Sequence, residues 1–219
     1  MTDITIMGDS WACGEWDLKQ KLAHPGTEQY LRDAGHNVTS VAKGGACNRE
    51  QTALMAESKA DVIIWFLTDP LRDLTISGWS HLGPRTLESY HSRRDSLFKA
   101  AFDRMSDLPV WLIGGASAVP DWVASIYPKW RVIVPDLRMW LIPDAEPIDC
   151  LSRTWPYPDC SEDLLTYHEQ QEKMLNRHFI RSENALQSDE HRLFWPDGHH
   201  PNREAHLRLT NKLLLPLTA

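Results

Sequence analysis

The sequence predicts a single three-layer α/β/α domain built on a parallel sheet of about five strands. Short apolar runs recur along the chain and alternate with segments whose apolar residues follow helical spacing. The later runs are continuously apolar, which is typical of strands covered on both faces. The 219 residues contain no internal repeat, low-complexity tract or linker, so we expect one domain spanning 1–219.

In the first predicted strand, the apolar residues Ile4 and Ile6 alternate with the polar residues Asp3 and Thr5. Two later strands, DVIIWFL and VWLIG, are almost wholly apolar. In chain order the five strands are Asp3–Met7, Asn37–Ala42, Asp61–Leu67, Val110–Gly114 and Arg131–Pro135. The βαβ alternation favours a flavodoxin-like sheet with the strand order 2-1-3-4-5.

Helices are predicted between and after these strands, from spacing and from end signals. A glycine follows the first helix at Gly35, where a left-handed residue commonly ends a helix. Asn48 and Ser161 are residue types that commonly cap helix N-termini. The predicted helices are Thr27–Ala34, Asn48–Lys59, Thr86–Met105, Ser161–Ser188 and Asn202–Leu215.

The alternation breaks after the fifth strand. Residues 141–160 contain four prolines, at Pro143, Pro147, Pro156 and Pro158. Proline lacks a backbone donor and ends regular structure, so we expect an irregular insertion. Long insertions of this kind are often lids or binding segments, and we predict that this one covers the carboxyl edge of the sheet.

Composition excludes several kinds of partner. The net charge of −7 and the absence of a Lys/Arg run disfavour nucleic acid. No apolar run is long enough to span a membrane, and the N-terminus lacks the features of a signal peptide, so we expect a cytoplasmic protein. The four cysteines show no metal-ligand spacing, and neither a metal nor a cofactor is expected.

Candidate chemistry lies at the two ends of the chain. Gly8-Asp9-Ser10 follows the first strand, so Ser10 should lie at the carboxyl edge of the sheet, where parallel α/β proteins bind ligands. A serine hydroxyl needs a base, and the base needs an orienting partner. Asp197 and His200 precede the last predicted helix at a spacing that lets the carboxylate reach the imidazole.

These two motifs resemble the first and last blocks of the GDSL, or SGNH, hydrolase family, with Trp11 where leucine is common. The resemblance implies that Ser10 is the nucleophile, His200 the general base and Asp197 its orienting partner. It also implies that Gly45, or alternatively Gly44, donates a backbone N–H to the oxyanion.

The third family block departs from the pattern. The family has Gly-x-Asn-Asp after the third strand, whereas this chain reads Phe66-Leu67-Thr68-Asp69. Thr68 stands where the asparagine amide would donate to the oxyanion. Three alternatives remain open: Thr68 substitutes through its hydroxyl, Asn48 supplies the donor, or the protein is slow or inactive.

The resemblance implies hydrolysis of a carboxylic ester without a cofactor. The substrate expected is a small-molecule or carbohydrate ester, the latter because ten tryptophans are available to stack on sugar rings. The alternative is a glycan- or protein-binding module without turnover. Arg72 could bind a substrate carboxylate, but a surface salt bridge with Asp69 or Asp73 is favoured.

Overall fold

In a computed structural model of the chain, five parallel strands form the central sheet, and their carboxyl ends lie along one edge of it. The structure describes residues 1–16, 22–55, 57–76, 83–142, 159–184, 193 and 200–218. The spatial order of the central strands is β4-β1-β5-β6-β7. These strands are β1 (Asp3–Met7), β4 (Asn37–Ser40), β5 (Val62–Phe66), β6 (Val110–Ile113) and β7 (Arg131–Val134).

All five strands fall inside the predicted segments, and their order is the predicted one. Every pair in the central sheet is parallel, and β1 lies between β4 and β5, with Ile4 opposite both Val38 and Val62. The chain therefore reverses its direction of winding beside β1. In a doubly wound sheet this is the position at which ligands bind.

The helices flank the sheet, and most agree with the prediction. They are α1 (Ser10–Cys13), α2 (Thr27–Asp33), α3 (Asn48–Leu54), α4 (Arg72–Ile76), α5 (Leu87–Asp103), α6 (Val123–Ile126), α7 (Leu137–Leu141), α8 (Glu162–Asn184), α9 (Arg203–Leu209) and α10 (Leu215–Thr218). Between α9 and α10, Thr210–Leu214 forms a π-helical turn.

Two helices differ from their predicted lengths. Helix α3 ends at Leu54 rather than Lys59, because Met55 is buried in the core and the chain must turn back to enter β5. The C-terminal helix continues past Leu215, through the π turn. There the Thr210 hydroxyl donates to the carbonyl of His206, a bond of the kind that bends helices.

The short helices α4, α6 and α7 and one small two-stranded sheet were not predicted. Strands β2 (Glu15–Trp16) and β3 (Leu22–His24) pair in antiparallel fashion directly after α1. Strands of two and three residues carry too little periodicity to be recognised in a sequence. This element matters because it contains Glu15, which contributes to the site described below.

Apolar clusters cover both faces of the sheet. Ile4, Ile6, Ile64 and Phe66 face α2, α7 and α9, and Trp65, Leu112 and Phe102 lie in a second cluster on the other face. Four tryptophans, Trp11, Trp65, Trp111 and Trp130, are buried in these clusters. These four side chains are part of the core and are not available to stack on sugar rings. The number of tryptophans therefore no longer supports carbohydrate binding.

Within the described ranges, no helix combines the length and apolarity needed to cross a bilayer. Most of the predicted insertion, residues 143–158, lies outside the described residues. Its predicted role as a lid therefore stays a prediction.

Gly8 connects β1 to the Ser10 turn. Its φ is +141°, and a Cβ there would lie 2.7 Å from the Phe66 carbonyl oxygen and 2.9 Å from the Ala12 Cβ. Its N–H donates to the buried Gln51 Oε1. Only glycine allows β1, β5 and α1 to approach this closely.

We expect Gly8→Ala to lower the free energy of unfolding by about 2 kcal/mol or more, because steric overlap adds to the backbone strain. Gly35→Ala is the matched control, since Gly35 also has a positive φ of +90° but has no atom within 4 Å of an added Cβ. Urea denaturation of both variants measures the difference. Equal losses would show that the contact with Phe66 costs nothing.

Candidate active site

Ser10 is the first residue of α1 and follows the carboxyl end of β1. Asp9 precedes it as the N-cap, and its Oδ1 accepts the Trp11 N–H at 3.0 Å. The Asp9 carbonyl also accepts the N–H groups of Ala12 and Cys13. The turn therefore starts a short helix, and Ser10 lies at its first position, after the carboxyl end of β1, where the sequence predicted the nucleophile.

His200 lies beside Ser10, although 190 residues separate the two in sequence. The distance from His200 Nε2 to Ser10 Oγ is 2.8 Å, and both residues are half-buried. When the ring nitrogen is unprotonated, the serine hydroxyl can donate to it, which is the geometry that a general base requires. The structure thus brings together two of the three residues predicted to form the triad.

A buried carboxylate connects the segments that carry these two residues. Glu15 follows α1 and is 5% exposed. Its Oε2 accepts the backbone N–H of Arg203 at 2.7 Å and Nε at 2.8 Å, and its Oε1 accepts Nη2 at 2.9 Å. Hydrogen bonding from Arg203 lowers the pKa of Glu15, so the carboxylate stays charged. Arg203 begins α9, three residues after His200, so this interaction fixes the approach of His200 to Ser10.

Further contacts hold α9 in place. Asn202 caps the helix, its Oδ1 accepting the N–H groups of Glu204 and Ala205. The Tyr30 hydroxyl donates to the carbonyl of Arg203. The buried His206 ring lies with its Nδ1 3.0 Å from the Thr27 hydroxyl. Helix α2 and the Glu15 segment therefore position the start of α9 together.

Asp197 lies outside the described residues. Its role as the partner of His200 stays a prediction.

The two candidate glycines lie in a tight turn after β4. The Ala46 N–H donates to the Lys43 carbonyl, and Gly45 occupies the turn with φ +75° and is exposed. The Lys43 N–H donates to the Gly8 carbonyl at 3.1 Å, which holds this loop against the Ser10 turn. Gly44 and Gly45 both stay candidates for the oxyanion donor.

Thr68 is fully buried at the end of β5, and its contacts bear on its predicted role. Its hydroxyl donates to Asp9 Oδ2 at 2.6 Å. A hydroxyl has one hydrogen, so donation to an oxyanion would require this bond to break. Asn48 Nδ2 donates to the Thr68 carbonyl and Asn48 Oδ1 accepts its N–H, so the Asn48 amide is engaged with the backbone of the same residue.

Arg72 forms its ion pair with a different aspartate from the two expected. Its Nη1 lies 2.9 Å from Asp9 Oδ2. Asp69 Oδ1 accepts the Leu71 N–H, and Asp73 Oδ1 accepts the Arg49 N–H at the start of α3. Asp69 thus accepts a local backbone N–H and Asp73 accepts one from α3, while Arg72 reaches the residue before Ser10.

The cysteines near the site are not reactive thiols. Burial raises the pKa of Cys13 to about 12, and the nearby Asp9 charge adds to the shift. Burial also raises the pKa of Cys47 to about 12, together with the charge of Asp73. Across the described part of the chain, no group of three or more His, Cys, Asp or Glu side chains is arranged to hold a metal ion.

No protein-family model matches the chain, and no curated protein matches its sequence. Among solved structures, a protein from Parabacteroides merdae named as a GDSL-like lipase is 14% identical, with a TM-score of 0.40 over 95% of this chain and 91% of that one. The psychrotrophic esterase EstA from Pseudoalteromonas sp., inhibited by monoethylphosphonate, is 15% identical, with a TM-score of 0.40 over 97% and 94%. The lipase Lip_vut3 from a goat rumen metagenome is 16% identical, with a TM-score of 0.41 over 97% and 95%.

We expect Glu15→Gln and Arg203→Met to be strongly coupled in a double-mutant cycle, because one buried carboxylate accepts two bonds from the Arg203 side chain. The free energies of unfolding from urea denaturation give the coupling. The control cycle uses Glu204→Gln and Arg208→Met, an exposed pair one turn apart on the same helix. The Glu15 pair should couple at least about twice as strongly as this surface pair. Equal coupling in the two cycles would contradict the inference that the Glu15–Arg203 interaction holds the start of α9 against the Ser10 segment.

A second prediction concerns His206, which is 1% exposed. Burial lowers its pKa to about 4, and the nearby His24 adds to the lowering. The unfolded chain, with an ordinary histidine pKa of about 6.5, binds this proton more readily than the folded protein does. Stability from this group is therefore complete above about pH 6.5 and is lost as the pH falls towards 4, by about 3 kcal/mol at most.

His206→Gln should flatten the loss of stability across this pH range, since glutamine does not titrate there. Urea midpoints measured at intervals from pH 7 to about 4 test this, and the difference between the two curves isolates the effect of the substitution at position 206. Parallel curves for the two proteins would show that His206 does not titrate as its burial implies.

Proposed function

We propose that the protein is a serine hydrolase that cleaves carboxylic esters. The observation that supports this most directly is the 2.8 Å separation of His200 Nε2 and Ser10 Oγ at the carboxyl edge of the sheet. A serine and an imidazole in hydrogen-bond contact, at the start of a helix, match the requirements of nucleophilic acyl transfer.

In the proposed reaction, His200 accepts the hydroxyl proton as Ser10 Oγ attacks the ester carbonyl carbon. The carbonyl π electrons move onto oxygen, and the resulting oxyanion is stabilised by the backbone N–H groups of Ser10 and Gly45. When the tetrahedral intermediate collapses, His200 returns the proton to the departing alcohol. Asp197 is the proposed partner that orients the imidazole.

Water completes the cycle. His200 accepts a proton from the water as its oxygen attacks the acyl-serine carbonyl, and it returns this proton to Ser10 Oγ when the acid leaves. Each step uses only groups of the chain, so the proposal requires no cofactor.

The substrate class is proposed from a groove of about 520 Å³ that runs beside Cys13 and Gly44, next to the Ser10 helix. Five of the ten residues that line it carry polar or charged side chains, which can hydrogen-bond a polar alcohol or acyl group. A small-molecule ester with hydroxyl groups, such as a carbohydrate ester, fits this lining. The polar and charged side chains of the groove belong to Glu28, Arg32, Thr39, Ser40 and Lys43.

The alternative is a binding module of the same fold that does not turn over. It is favoured by the commitment of the Thr68 hydroxyl to Asp9, which removes a side-chain donor from the expected oxyanion site. It is disfavoured by the Ser10–His200 contact, which binding alone does not need.

We expect a fluorophosphonate to label the wild-type protein on the peptide containing Ser10, and the protein to hydrolyse p-nitrophenyl acetate. Ser10→Ala should abolish both, and His200→Gln should slow both by about 10³-fold or more, because the serine loses its base. Mass spectrometry of the labelled peptide and initial-rate measurements provide the readouts.

The matched control is Ser40→Ala, which removes a hydroxyl from the groove but not from the proposed triad. It should label at the Ser10 peptide like the wild type. A correctly folded wild-type protein that neither labels nor turns over would favour the binding module, and an adduct on another peptide would overturn the assignment of Ser10.

A further inference from the structure

Asp9 is a buried carboxylate immediately before the proposed nucleophile, and it is 1% exposed. Three donors from three segments converge on it. Trp11 donates its backbone N–H to Oδ1 from the Ser10 turn, while the Thr68 hydroxyl and Arg72 Nη1 donate to Oδ2 from the end of β5 and from α4. Asp9 therefore connects the Ser10 turn to the chain that follows β5.

Arg72 extends this network to the loop that carries Gly45. Its Nη1 also donates to the carbonyl of Ala46 at 3.3 Å, one residue after the candidate oxyanion glycine. The side chain is 30% exposed, so the pair lies at the surface end of a buried site. One guanidinium nitrogen thus bridges the carboxylate beside Ser10 and the backbone beside Gly45.

The charge of Asp9 is a difficulty for the reaction proposed above. A buried carboxylate next to Ser10 raises the energy of the negative charge that develops on the substrate oxygen, since charges interact strongly where water is excluded. A cation paired with Asp9 cancels most of this field. The Thr68 hydroxyl shares Oδ2 but brings no charge.

We propose that Arg72 is a positioning residue for ester hydrolysis: by pairing with Asp9 and binding the Ala46 carbonyl, it neutralises the carboxylate beside Ser10 and fixes the Gly45 loop against the Ser10 turn. The inference rests on the proposed function. It adds that the donors to the oxyanion are backbone N–H groups, kept aligned by an arginine that does not itself touch the substrate.

The first test is the kinetics of Arg72→Met with p-nitrophenyl acetate. We expect kcat to fall by about 10²-fold, with KM changed by less than about three-fold, because the effect acts on the transition state. Arg72→Lys keeps the charge and should recover at least about ten-fold of the loss. Arg208→Met, which removes an exposed arginine on α9, should behave like the wild type.

The second test separates charge neutralisation from general damage to the fold. Asp9→Asn combined with Arg72→Met removes both charges and leaves no uncompensated buried carboxylate. If Arg72 neutralises Asp9, the double variant should turn over and react with fluorophosphonate faster than Arg72→Met alone. Circular dichroism and urea midpoints confirm that the compared variants are folded. If Arg72→Met does not fold, the folded double variant is compared with the wild type, and its kcat should stay within about ten-fold of the wild-type value.

The outcomes distinguish the two proposals. Wild type that labels at Ser10 together with a folded Arg72→Met of unchanged kcat would overturn the role of Arg72 and leave the esterase proposal intact. A double variant no faster than Arg72→Met would also overturn the neutralising role. Failure of the wild type to label at Ser10 would overturn both proposals together.

Discussion

The interaction of Glu15 with Arg203 is the constraint on which the site depends. Ser10 and His200 lie 190 residues apart, and a single hydrogen bond between two half-buried side chains adds only about 1 kcal/mol to stability. Such a bond cannot by itself fix the position of His200 relative to Ser10. A carboxylate that is 5% exposed and accepts the backbone and side chain of Arg203 fixes both position and direction, because its contacts include the first N–H of α9.

An ion pair between a buried carboxylate and an arginine flanks the Ser10 helix at each end. Helix α1 has four residues, too few to be stable on its own. Asp9 precedes it and pairs with Arg72, while Glu15 follows it and pairs with Arg203. Each carboxylate is buried and each arginine comes from a distant segment. The geometry of the site therefore comes from two long-range ion pairs around a short helix rather than from the helix itself.

The sequence predicted the sheet well because burial on two faces leaves a direct mark in continuous apolar runs such as VIIWF and VWLI. The resemblance of the Ser10 and His200 motifs to two family blocks implied that these side chains meet, and they lie 2.8 Å apart. The ion pairs left no such mark. Arg72 has Asp69 and Asp73 close in sequence, but those carboxylates accept nearby backbone N–H groups, and the arginine reaches Asp9. Ion pairs between residues distant in sequence produce no periodic pattern in the sequence, so only the folded structure shows that Asp9 is the partner of Arg72.

The residue that departs most from the family pattern forms hydrogen bonds through its hydroxyl, its N–H and its carbonyl. Thr68 donates its hydroxyl to Asp9, while its N–H and carbonyl both bond to Asn48. With every polar group engaged and the side chain fully buried, position 68 serves to connect β5, α3 and the Ser10 turn. In the proposed mechanism the oxyanion donors are backbone N–H groups, which cannot be lost by substitution of a side chain. The absence of an asparagine at this position is therefore compatible with catalysis, provided that the loops bearing the backbone donors are held rigidly.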